Sequence, residues 1–150
     1  MMAVRGGDLP GAVRPIGTSM SGPRPRVTVS LVTWNGLRWL PGCLGALRAA
    51  ADQLDGGRGA IELLVTDNGS RDGTVEALAR ELASFPVTRL RRLPCNQGYA
   101  AVHDDHLAVA RGEAVLLLNQ DLELDPGFLV AALASLDADP RVAAAYLGQH

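Results

Sequence analysis

Four short polar stretches, each following an apolar run, hold the residues best suited to chemistry: Thr33-Trp34-Asn35-Gly36, Asp67-Asn68-Gly69-Ser70, Asn96-Gln97-Gly98-Tyr99 and Asn119-Gln120-Asp121. The fourth is the most informative. It ends the run Val115-Leu116-Leu117-Leu118, an apolar stretch of the kind that forms a parallel strand buried on both faces. A carboxylate at the carboxyl end of such a strand lies where open α/β sheets bind ligands. The N-x-D spacing sets Asp121 beside the Asn119 amide. These hard oxygen donors suit Mg²⁺ or Mn²⁺ on the diphosphate of a nucleotide. Asp67 ends an earlier strand in the same way. It can cap the following helix, but Ser70 and Asp72 are placed for that too, so a binding role is expected for it. For Trp34, base contact and packing under a helix both stay open.

Those four turns require alternating strands and helices to position them. Residues Val27 to Thr33 are β-branched and apolar and read as the first strand. Pro41 suits the first turn of a helix, and Leu37, Leu40, Leu44, Leu47, Ala51 and Leu54 follow at helical spacing. Ile61 to Thr66 form the second strand. The next helix carries a buried stripe of Val75, Leu78, Ala79 and Leu82. Pro86 to Leu90 give a weaker strand near an edge, and Tyr99 to about Ala110 a helix ended by Gly112. After the buried strand Ala114 to Leu118, Pro126 opens a helix to about Asp137, and Val142 to Tyr146 read as a last strand. This alternation predicts an α/β fold with a mainly parallel sheet flanked by helices. Residues 1–26, rich in Gly, Pro and Arg, read as a disordered arm before a single domain over 27–150.

Composition narrows the function. The chain has 150 residues, 47% hydrophobic and 20% charged, with a net charge of −2, which gives no electrostatic case for a nucleic-acid partner. All 14 basic residues are Arg. Cys43 and Cys95 lie in no metal-like spacing and read as free thiols of a reducing compartment. No apolar run reaches the roughly 18–20 residues that span a bilayer. The expectation is a cytoplasmic protein, with peripheral attachment at the inner face of the membrane, or membership of a membrane-associated complex or oligomer, left open. The sequence His103-Asp104-Asp105-His106 offers two imidazoles at i and i+3 but no third ligand, so a zinc site is not expected there.

Taken in order, Val29-Ser30-Leu31-Val32-Thr33-Trp34-Asn35, Asp67-Asn68-Gly69-Ser70-Arg71-Asp72-Gly73-Thr74, Asn96-Gln97-Gly98-Tyr99, Ala110-Arg111-Gly112-Glu113 and Asn119-Gln120-Asp121 before Pro126-Gly127-Phe128-Leu129 resemble the family-2 glycosyltransferases of the GT-A fold, most closely the rhamnosyltransferase-like branch. The resemblance covers about Val27 to Leu147. It implies a Rossmann-like GT-A domain, partial at its C-terminus, that transfers a sugar with inversion from a nucleoside-diphosphate sugar. The donor would be dTDP-rhamnose or a UDP-sugar, and the acceptor a glycan, lipid or protein hydroxyl, in cell-surface polysaccharide or glycan synthesis. Thr33, Trp34 and Asn35 would line the base pocket, partly through backbone groups. Asp67 would accept from the nucleobase or ribose, Asn96 and Gly98 would form the pocket floor, and Asn119 would reach the ribose or a metal-bound water. Asp121 would bind Mg²⁺ or Mn²⁺. The catalytic base of the family matches no residue here, and Glu123 and Asp125 lie too near the metal motif. Hence the alternative expectation of a non-catalytic or degenerate nucleotide-sugar-binding fragment. His106 stands where the family carries Gly, and a ring there is expected to push its helix outward and weaken the fold.

Overall fold

The structure, a computed structural model, describes residues 2–5, 24–86, 88–139 and 144–145. Four strands run parallel: three apolar runs, β2 (Val27–Thr33), β3 (Ile61–Asp67) and β5 (Ala114–Asn119), and the largely exposed, Arg-rich β4 (Thr88–Arg92), side by side as β4-β3-β2-β5. Helices α1 (Leu40–Ala51), α2 (Thr74–Glu81) and α3 (Tyr99–Val109) connect them, and α4 (Phe128–Ala138) follows β5. The expected α/β fold with a mainly parallel sheet is therefore present.

The two faces of the sheet differ, and the period-2 alternation of β2 and β3 says why. Val27, Val29 and Leu31, with Ile61, Leu63 and Val65, turn toward α1, α2 and α4 and form the apolar core with Leu44, Leu47, Leu78 and Leu129. Each leucine fully buried there is worth about 1.5–3 kcal/mol. The alternate residues, Thr28, Ser30, Glu62 and Thr66, are buried but polar. Ser30 and Thr66 meet the histidines of α3, and Glu62 meets Thr28 and Arg111. Polar groups so buried must be hydrogen-bonded, and these are.

Several boundaries depart from the sequence expectation. Met2–Arg5, assigned to a disordered arm, is a strand (β1), antiparallel to β5 and to the short β6 (Ala144–Ala145). Met2, Ala3 and Val4 occupy the side of β5 whose backbone groups are otherwise unpaired, which is reason enough for so short a run to become a strand. Residues 6–23 and most of the expected strand Val142 to Tyr146 lie outside the described residues. The third parallel strand is at the edge, as expected, but displaced to Thr88–Arg92. Helix α2 buries Thr74, Ala77 and Leu78 with Leu82 just beyond it, while Ala79 is exposed, so the stripe is rotated from the one predicted. Pro126 and Gly127 form a turn, and α4 starts only at Phe128. Among the described residues no helix is long and apolar enough to cross a membrane.

Candidate functional site

Register decides which side chains meet. Thr33 pairs with Asp67, Asp67 with Arg92, and Val32 with Asn119, so the four parallel strands end almost level. Their following turns consequently open on one edge of the sheet, the edge where such folds take ligands.

Side chains knit the turns together. The four successive amides from Trp34 to Leu37 all donate to side chains of other turns: to Gln120 Oε1 (3.0 Å), Ser70 Oγ (2.9 Å), Thr74 Oγ1 (2.8 Å) and Asp72 Oδ2 (3.1 Å). These groups cap the chain entering α1. Although burial acts the other way, hydrogen bonds from Thr74 and Leu37 hold the Asp72 carboxyl below its usual range. Asn35 returns the tie by accepting from the Arg71 amide (3.0 Å), with its own backbone at φ 47°, a conformation Asn tolerates better than most residues. The amides of Trp34 and Asn35, from the stretch whose backbone groups the sequence expectation offered to a base, are thus engaged within the protein.

The third turn hangs on Asn68. Its amide nitrogen donates to Asn96 Oδ1 (3.0 Å) and the Gly98 carbonyl (3.4 Å), and its oxygen accepts from the Gln97 amide (2.9 Å). Gly98 has φ +91°, yet a Cβ there would meet nothing within 4 Å. The need for glycine at this point is conformational rather than steric. The close approach occurs at Gly69, where a Cβ would fall 2.8 Å from the Cys95 Cα.

These turns enclose an open cleft of about 260 Å³. Of the expected site residues, Thr33, Trp34, Asn96, Asn119 and Asp121 line it. Asn35, Asp67 and Gly98 do not: Asn35 bridges turns, and Asp67, only 2% exposed, accepts from Thr33 Oγ1 (3.4 Å) and the Ser70 amide (3.1 Å). The lining also takes in Val32, Asn68, Gln120 and Tyr99, to which the sequence assigned no role. Tyr99 was legible as an exposed aromatic opening a helix directly after Gly98. Its hydroxyl donates to Asn119 Oδ1, and burial, then the nearby Asp121 charge, raise its pKa.

Asp121 is exposed at the cleft mouth. Among the described residues no three His, Cys, Asp or Glu side chains gather as a metal site. That donor set does not make a closed protein cage. It fits Mg²⁺ or Mn²⁺ held by one carboxylate and completed by substrate phosphates and water. Beneath the motif, Cys43 Sγ lies 3.6 Å from the Asn119 carbonyl, and burial pushes its thiol up to about 12, which keeps it inert. Glu123 lies over Gly42 and Asp125 Oδ1 accepts from the Gly127 amide, so neither acid lines the cleft.

Behind the cleft, the His106 ring expected to weaken the packing of α3 is instead hydrogen-bonded to the sheet. Its Nδ1 lies 2.7 Å from Ser30 Oγ and its Nε2 2.7 Å from Thr66 Oγ1, because the strand face below it is itself polar. His103 Nδ1 also meets Ser30 Oγ, at 2.6 Å, and its ring sits edge-on to Tyr99. Both imidazoles are buried and Asp104 and Asp105 exposed, and among the described residues no third His, Cys, Asp or Glu joins them.

Residues 28–148 match the family model described as glycosyl transferase family 2. A Mycobacterium tuberculosis (strain CDC 1551 / Oshkosh) protein carrying a glycosyltransferase description is 35% identical over 82 residues, 55% of this chain and 23% of that protein. The mannosyltransferase PcManGT from Pyrobaculum calidifontis, solved with GDP-Man and Mn²⁺, is 31% identical with a TM-score of 0.68, over 80% of this chain and 34% of that one. S. aureus TarS 1–349 in complex with UDP-GlcNAc shares the fold, with a TM-score of 0.66 at 22% identity, over 75% of this chain and 31% of its own. The chain thus spans about a third or less of the length of these relatives.

Proposed function

Because the chain belongs to glycosyl transferase family 2, we propose that its cleft holds the nucleoside diphosphate of a sugar donor for transfer to an acceptor hydroxyl. One observation carries this reading: the level ends of four parallel strands gather Trp34, Asn96, Tyr99, Asn119 and Asp121 around a single cleft. Thr33, Trp34 and Asn96, with Gly98 shaping its turn, bound the nucleoside end. Asn35 and Asp67 hold the turns in place. Asp121 is the carboxylate that meets Mg²⁺ or Mn²⁺, with Asn119 beside it toward the ribose or a metal-bound water. A cation held there would supply the positive charge that offsets the negative charge building on a departing diphosphate. The neighbour carrying GDP-Man and Mn²⁺ supports this cofactor class and the neighbour carrying UDP-GlcNAc the donor class.

The finer reading is inverting transfer from dTDP-rhamnose or a UDP-sugar to a glycan, lipid or protein hydroxyl. It places the protein in cell-surface polysaccharide or glycan synthesis, on the cytoplasmic side of the membrane. It rests on the order of the turn motifs, which resembles that of the rhamnosyltransferase-like branch. The test is calorimetric titration with UDP, dTDP and GDP, with and without Mn²⁺. The expected result is metal-dependent binding of one nucleotide, lost in Asp121→Ala. A folded chain that binds none of the three overturns the assignment.

A further inference from the structure

Resting on that reading, we propose that Gln120, the middle residue of the Asn119-Gln120-Asp121 turn, is a positioning residue that couples the nucleoside side of the cleft to the metal-binding carboxylate. Its carboxamide engages both main-chain polar groups of one residue in the opposite turn. Oε1 accepts the Trp34 N–H at 3.0 Å and Nε2 donates to the Trp34 carbonyl at 3.1 Å. This donor and acceptor pairing fixes the orientation of the amide, since the flipped arrangement sets donor against donor and acceptor against acceptor. The two bonds copy the exchange of a hydrogen-bonded antiparallel pair, made here by a side chain between turns that do not pair through their backbones.

The space for this clamp is built into the first turn. A Cβ at Gly36 would lie 2.8 Å from Gln120 Cδ, so a side chain there displaces the carboxamide. Gly36 is not at a positive φ, which leaves this contact as a reason for glycine independent of backbone conformation. Trp34 and Asp121 line the same cleft on either side of the clamp. Any shift of the Trp34 turn on binding a nucleoside therefore moves the backbone that carries Asp121. Groups that hold a metal ligand from behind typically alter metal affinity by roughly 10–100-fold when removed.

The experiment compares the full chain with Gln120→Met, which keeps the length without the two hydrogen bonds, and with Gly36→Ala, which leaves Gln120 in place and crowds its amide. Each is titrated with UDP, dTDP and GDP with and without Mn²⁺, after circular dichroism has confirmed the wild-type fold. The readout is the ratio of the two affinities for the nucleotide that binds. Both variants are expected to lower that ratio by about tenfold while metal-free binding stays within about twofold. A role in general stability lowers both affinities together, and that parallel loss overturns the inference, as does an unchanged ratio in either folded variant. If Gln120→Met loses its fold, Gly36→Ala alone decides. Wild-type chain that binds no nucleotide brings down the proposed function and this inference with it, whereas wild-type binding with an unchanged ratio brings down the inference alone.

Discussion

Most of the side chains around the cleft hold other side chains or turns. Asn68 is the clearest case, since all of its amide capacity toward the third turn is spent on Asn96, Gln97 and Gly98. Asn68→Ala is expected to cost about 1–3 kcal/mol in urea unfolding, the penalty of stranding partners that are partly buried. Asn68→Asp keeps the acceptor for the Gln97 amide and should recover part of the loss. Gly69→Ala acts on the same contact from the other side. The residue stands at φ +85° and its new Cβ would press on Cys95 backbone, so a loss of at least about 1–3 kcal/mol is expected from strain. Urea midpoints of the two variants measure both effects, and midpoints equal to that of the wild type would show that the second and third turns do not depend on each other.

At the scale of elements, α3 differs from the other helices in lying over a polar strand face. His106 is buried between Ser30 and Thr66, with His103, Arg91 and the exposed Asp105 around it. Burial chiefly, helped by His103 and Arg91, pushes its pKa down to about 4, and burial also lowers that of His103. Both are therefore neutral when folded at pH 7. The sign follows from proton uptake: below the unfolded value of about 6.5 the unfolded chain gains protons that the folded chain refuses. The stability is full above about 6.5 and declines as the pH falls toward about 4, with a slope of about 1.4 kcal/mol per unit for each histidine at most. Unfolding midpoints measured across that window should fall accordingly, and His106→Asn should leave a shallower slope. An equal slope in the variant would place the acid sensitivity elsewhere.

For the whole molecule, the sheet separates the edge of the proposed donor cleft from a stabilising one. Near the amino ends of the strands Glu62, fully buried, accepts from Thr28 Oγ1 and from the Arg111 amide and guanidinium, the last at 2.7 Å. Glu62→Ala strands Arg111, itself a third exposed, and should cost about 2–3 kcal/mol while leaving nucleotide affinity unchanged. A fall in affinity matching the fall in stability would show that the two edges are not independent. The chain's order of elements follows from local physics. Apolar runs bounded by turn residues gave β2, β3 and β5, and helical spacing gave α1 with its core residues Leu44 and Leu47. The polar strand ends marked Thr33, Trp34, Asn96, Asn119 and Asp121 as neighbours, because the carboxyl ends of parallel strands share an edge whatever their side chains do. Partnership depends instead on register and on which face each residue takes, quantities that no local pattern encodes. Thus Met2–Arg5 became a strand only because β5 had a free side, and His106 found Ser30 and Thr66 only through pairing between β2 and β3. Asp67 and Asn35 turned inward to hold turns, while Gln120 reached across 86 residues to grip Trp34. Sequence by itself determined the fold class and the edge that carries the site; the tertiary structure decided which of those residues face the cleft, since a side chain's direction is set by neighbours far away along the chain.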